Sequence, residues 1–145
     1  MFSTNSGNNN LSVFNVNQGT GALNSGTVPG APFNVGANPR GVTVHPSGNF
    51  VYVANNNGSN ISAFTLNLTN GVLSQIAGSP FAAGTNPETI ITDAKGKYLY
   101  VSNSGSNSIA GYSIDAATGA LTTLPSSPYA TASAPTGLTL GGVPQ

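Results

Sequence analysis

The chain has 145 residues, room for one compact domain, and only six of them are charged: Arg40, Lys95, Lys97, Glu88, Asp93 and Asp115, which cancel to zero. So little charge excludes a cationic nucleic-acid surface and a polybasic membrane patch, since each needs several Lys or Arg on one face. The absence of cysteine removes disulfides, thiolate nucleophiles and Cys-based metal sites.

Taken in order, the chain repeats itself. The opening residues, Met1-Phe2-Ser3-Thr4-Asn5, lack the basic region and apolar core of a secretory signal peptide. Leu11, Phe14, Gly21 and Leu23 recur 50 residues later as Ile61, Phe64, Gly71 and Leu73. Pro32-Phe33 and Asn38-Pro39 recur 48 residues later as Pro80-Phe81 and Asn86-Pro87, so two additional residues mark a loop around Gly26 to Gly30. Gly41–Val44, Phe50–Val53, Ile61–Leu66 and Val72–Ile76 are rich in β-branched and aromatic residues and predict strands. Clusters of Gly, Pro, Asn and Ser over 45–48, 55–60 and 67–71 separate them as turns.

The next copy follows without a gap. Asn49–Asn55 returns as Lys97–Asn103, and Ser79-Pro80-Phe81 as Ser127-Pro128-Tyr129. Pro135–Leu140 aligns with Pro87–Thr92 and reads as one more first strand, within 135–142. Asn17…Gly21, Asn67…Gly71 and Asp115…Gly119 predict one recurrent hairpin turn, with an Asx side chain accepting from the backbone ahead and a closing glycine. Four short strands in nearly 50 residues are the signature of a β-propeller blade. The fold expected is therefore all-β, with blade 1 over about 2–34, blade 2 over 35–82 and blade 3 over 83–130. Blade 1 begins in its second strand, because Phe2 aligns with Tyr52.

Asn38-Pro39-Arg40-Gly41…His45-Pro46-Ser47-Gly48, Phe50–Asn55, Gly78–Pro87 and Thr118-Gly119-Ala120-Leu121 resemble the lactonase-type β-propeller family, also described by its Tyr-Val-Thr-Asn-like blade repeat. The resemblance runs the length of the chain. It implies a propeller fold and, through the family, lactone hydrolysis at one end of a central channel. Its members are typically seven-bladed single chains, against three blades here.

Few residues are available for chemistry. Arg40, Glu88 and Thr136 occupy equivalent positions at the start of successive inner strands and are the candidate ligand-binding set at the channel mouth. Arg40 suits a carboxylate or phosphate, and Glu88 a general base. The alternative for this pair is an ion pair that docks adjacent blades. His45 is the third catalytic candidate, because its ordinary pKa lies near neutrality. It stands at the far end of the inner strand, equivalent to Asp93 in the next copy, in a turn where the ring is expected to bond local backbone. No metal site and no cofactor are expected.

Three blades fall short of the roughly 4–8 of known propellers. The expectation is a six-bladed homodimer in which strand 135–142 of each chain completes blade 1 of the other, with a small molecule or glycan in the channel. Its role is read as structural or binding. Lactone hydrolysis is the alternative and a carbohydrate-binding module a further one. Low charge with 19 Asn, 17 Ser and 15 Thr suits an extracellular or cell-surface repeat protein, excised from a longer one or engineered.

Overall fold

The computed structural model of the protein describes residues 1–141. Blade 2 shows the plan most fully. Strands β6 (Pro39–Val44), β7 (Phe50–Asn55) and β8 (Asn60–Leu66) run antiparallel from the inside outward. Beyond them, β9 (Leu73–Gln75) and β10 (Phe81–Ala82) both pair with β8. The predicted fourth strand, Val72–Ile76, forms as β9, and after a turn at 76–80 the chain adds β10 as a further short strand that the repeat pattern does not predict. Blade 3 repeats this with β11 (Pro87–Thr92), β12 (Tyr98–Asn103), β13 (Ser108–Ile114), β14 (Leu121–Thr123) and β15 (Tyr129–Ala130).

Blade 1 holds β1 (Phe2–Asn5), β2 (Asn10–Val13) and β5 (Phe33–Asn34) in one sheet, with β3 (Asn15–Val16) and β4 (Leu23–Asn24) as a separate hairpin. The chain is an all-β propeller segment.

All six residues of β7 are buried, in keeping with the apolar run Phe50–Ala54 that makes up its first five. Alternate side chains serve different neighbours. Val51 and Val53 join Leu11, Phe64 and Leu73 between blades 1 and 2. Phe50, Tyr52 and Ala54 join Leu99, Val101, Tyr112 and Leu121 between blades 2 and 3.

Hydroxyls close the second interface. The Tyr52 hydroxyl donates to the carbonyl of Gly119 at 2.9 Å, and the Tyr112 hydroxyl donates to that of Ala82 at 2.7 Å. Burial raises both phenols, Tyr112 to about 12 and Tyr52 further. Both therefore remain donors at neutral pH. Gly119 admits Phe50 at this interface, since a Cβ there would lie 2.5 Å from its ring.

The recurrent hairpin turn forms as the sequence predicts. Asn17, Asn67 and Asp115 each accept from the backbone amides two and three residues ahead. Asp115 also accepts from the Thr118 hydroxyl, and the Thr118 and Ala117 bonds hold its carboxyl below the usual carboxylate range. A group lowered by folding stabilises above its unfolded pKa and loses that contribution as pH falls through the folded one. Asp115→Asn restores the residue used in the other two copies. Unfolding of both proteins from neutral pH into the acid range should show any wild-type advantage disappear on acidification. A difference that does not change with pH would contradict the assignment.

Residues 135–141 form no strand. Their anchor is the Thr136 carbonyl, which accepts from the Thr89 hydroxyl at 2.7 Å. Residue 142, the end of the predicted strand, lies outside the described residues.

Candidate functional site

The inner strands carry a feature absent from the repeat pattern. Pro39 pairs with Asn55, but the next pair is Val42 with Val53, so Arg40 and Gly41 together oppose one residue of β7. The same shift lies between Pro87 and Ile90, where Glu88 and Thr89 oppose Ser102 of β12. An additional residue in one strand is a β-bulge, a device that breaks the in-out alternation and re-aims side chains. Both bulges fall on the candidate ligand positions.

The two inner strands also approach closely. A Cβ at Gly41 would lie 2.8 Å from the Glu88 carbonyl and 3.1 Å from the Ile90 side chain, so only glycine permits this spacing. At the equivalent place in the next copy, Thr89 meets the carbonyl of Thr136. Arg40, Glu88 and Thr136 therefore begin three successive inner segments at one end of the arc. Arg40 is exposed and Glu88 half-buried.

A network of amides and hydroxyls fixes Glu88. Its Oε1 accepts from Asn56 Nδ2 at 3.0 Å and from the Ser104 hydroxyl at 3.4 Å. Asn56 Nδ2 also donates to the Pro87 carbonyl, and Asn56 Oδ1 accepts from Asn86 Nδ2 at 3.2 Å. The Ser104 hydroxyl lies 3.0 Å from the Asn86 carbonyl as well. Blade 2 thus grips the first residues of blade 3 from the turn after β7. Asn9 accepts from the amide of Asn38 at 2.8 Å, and the Thr4 hydroxyl donates to the Arg40 carbonyl at 2.8 Å. Asn56, Asn86 and Ser104 were not singled out from sequence. Their signal was weak, because Asn and Ser fill every turn of this chain.

His45 lies elsewhere. It directly follows β6 at the opposite side, so five residues at ~3.3 Å each place it roughly 17 Å from Arg40 along the strand. The ring is buried, with Nε2 donating to the Gly96 carbonyl at 2.7 Å and Nδ1 accepting from the Ser47 amide at 3.1 Å. It meets Phe50 edge-on at 5.5 Å. The local bond to Ser47 matches the turn reading, and the bond to Gly96 spans two blades. Asp93 likewise bonds local backbone, accepting from the Tyr98 amide at 2.7 Å.

Among the described residues, clefts also open between blades away from these side chains. One of about 510 Å³ lies between blades 2 and 3, lined by Ser59, Thr85, Ser106, Tyr112 and Ser127 among others. Another, about 470 Å³, separates blade 1 from the β8–β9 turn. Among the described residues no group of three or more His, Cys, Asp or Glu could hold a metal ion.

No curated protein matches the chain by sequence. Solved structures match it as a fold. A Pseudomonas aeruginosa periplasmic gluconolactonase is similar with a TM-score of 0.76 and 21% identity, over 94% of this chain and 38% of its own. A Bacteroides fragilis protein named as a candidate 6-phosphogluconolactonase gives 0.78 and 22%, over 93% and 36%. A functionally unknown protein from Desulfotomaculum acetoxidans gives 0.71 and 22%, over 82% and 35%. The chain therefore spans little more than a third of the length of these structures. The family model for the seven-bladed β-propeller lactonases matches residues 1–86. That match covers more than half of the sequence, and the chain belongs to the lactonase family of seven-bladed β-propellers.

Proposed function

We propose that this chain supplies part of a lactone-binding and lactone-hydrolysing channel mouth, with Glu88 as general base and Arg40 as oxyanion partner. The observation that carries the reading is the paired β-bulge, which sets Arg40 and Glu88 at one end of adjacent inner strands, with Glu88 held through one carboxylate oxygen. Both bonds converge on Oε1, which leaves Oε2 for a water molecule.

In the reaction, water attacks the lactone carbonyl carbon while Glu88 takes its proton. The guanidinium of Arg40 stabilises the tetrahedral oxyanion. Collapse breaks the ring C–O bond, and the proton passes from Glu88 to the leaving alkoxide, giving a hydroxy acid. Lys95 and Lys97 sit in the turn after β11, near the His45 end. Arg40 is thus the one cation at this mouth among the described residues. A single cation suits a neutral sugar lactone better than a phosphorylated one.

Proton release from an aldonolactone checks this. Turnover is expected from the wild-type chain, with about 10²–10³-fold loss in Arg40→Ala. Turnover unchanged in Arg40→Ala would refute the role of Arg40.

A second reading is a sugar-binding module, favoured by the cleft of about 510 Å³ between blades 2 and 3, which Ser59, Thr85, Ser106, Tyr112 and Ser127 line with hydroxyl-bearing side chains. Sugar binding without proton release would select it.

A further inference from the structure

The repeat places small side chains around the cleft between blades 2 and 3 and larger ones at the junction before it. Ala82, Ala83 and Thr123 line that cleft of about 510 Å³. At the same positions one blade earlier stand Asn34, Val35 and Gln75. Ser59 adds to the difference. Its φ of +50° is left-handed, and the other two copies use Asn9 and Asn107 there, a residue type that tolerates the conformation better. Asn9 reaches across its junction to accept from the amide of Asn38 at 2.8 Å. Ser59 has a shorter side chain, lines the cleft instead, and makes no such bond to Asn86 among the described residues. A serine under backbone strain thus stands where the repeat's own asparagine would bridge the two blades.

The lining is neutral, since none of the described residues that form it is charged. The hydroxyls of Ser59, Thr85 and Thr123 bond no other group among the described residues, which leaves them for a ligand. Ala83, Ala110 and the Tyr112 ring supply apolar surface. The volume falls within the roughly 300–1,000 Å³ of ligand clefts. Hydroxyls and apolar surface without charge suit one uncharged sugar ring, and offer a phosphate or carboxylate no cation.

No candidate side chain lines the cleft, yet its rim comes close to Glu88. Ser104–Ser106 form a single 3₁₀ turn after β12. The Ser104 hydroxyl donates to Glu88 Oε1 at 3.4 Å, while Ser106 lines the cleft. At a rise of ~2.0 Å per residue the two serines stand about 4 Å apart along the turn. Thr85, three residues before Glu88, lines the cleft as well, and its amide donates to the Ser106 hydroxyl at 3.2 Å. A ring in the cleft and a lactone at Glu88 can therefore belong to one molecule.

We infer that the cleft holds the sugar substituent of a glycosylated aldonolactone whose lactone ring meets Glu88. This rests on the lactone reading and names its substrate class, a neutral lactone that carries a further sugar unit. The bond broken is still the ring C–O bond of the lactone, and the glycosidic bond stays intact.

Non-hydrolysable lactams test the inference without relying on turnover. Gluconolactam and its 4-O- and 6-O-glucosyl derivatives are titrated into the chain by NMR. At least one glucosyl lactam should bind about 10–100-fold tighter than the parent, the worth of one to three hydrogen bonds. It should shift the amides of Ser59, Thr85 and Ser106 together with that of Glu88. Ser59→Asn and Thr123→Gln install residues that the repeat uses at the neighbouring junction, so both should melt at or above the wild-type temperature. Each should bring the ratio of glucosyl to parent affinity down to about one. A wild-type ratio near one, a ratio that survives both variants, shifts confined to the cleft, or no binding of any lactam would each overturn the proposal. Proton release from the parent lactone reports the lactone reading separately, and turnover with a wild-type ratio near one would leave that reading standing.

Discussion

Gly96→Ala is expected to destabilise the protein by about 3–5 kcal/mol, whereas Gly48→Ala at the equivalent position costs about 1–2 kcal/mol. Both glycines have positive φ, +69° and +80°, so both substitutions carry the left-handed penalty. They differ in surroundings. A Cβ at Gly48 meets only the end of the Leu68 side chain at 3.5 Å, but a Cβ at Gly96 would run into the His45 ring. That ring is buried and donates to the Gly96 carbonyl, so moving it strands a buried polar group, which costs a further ~1–3 kcal/mol. Urea unfolding of both variants measures the difference. Equal losses would show that His45 does not clamp blade 2 to blade 3.

Glu88→Gln should lower lactone turnover by about 10²–10⁴-fold, the usual contribution of a positioned general base. The substitution is chosen to keep the site intact. A Gln side-chain oxygen can accept from Asn56 and Ser104 as the carboxylate does, so the grip of blade 2 on the start of blade 3 survives. Stability should change little while turnover falls. Asn56→Ala should act differently, because Asn56 touches Glu88 and holds it in place. It removes the shorter of the two bonds to Glu88 together with the bonds to Pro87 and Asn86, so both stability and turnover decline. Full turnover in Glu88→Gln would assign the chemistry elsewhere.

Much of the architecture was legible because it is periodic. The 48-residue spacing predicted equivalent blades, and the Asn17, Asn67 and Asp115 turns formed with the bonds their residue types imply. The additional strand β10 was not legible, since its two residues, Phe81 and Ala82, are too few to show an alternation. For the candidate residues, the equivalence of positions was legible and the geometry was not. Aligning Arg40 with Glu88 placed them on equivalent strands, yet a bulge is a property of pairing register, and neither strand shows it alone. The role of His45 was half visible. Its local bond to Ser47 follows from the turn, but Gly96 lies 51 residues away and nothing near His45 announces it. Residues 135–141 show the other limit: a strand pattern needs a partner edge, and this segment has a single anchoring bond.

On the proposed reading, function resides at the Arg40 and Glu88 end of the inner strands, and the His45 end is a structural joint. An NMR titration with a neutral aldonolactone, or its hydroxy-acid product, tests this most directly. Shifts should concentrate on the amides of Arg40, Gly41, Asn56, Glu88, Thr89 and Ser104, leaving 45–48 and 93–97 unmoved. Shifts centred on His45, Ser47 and Gly96 instead would contradict the account.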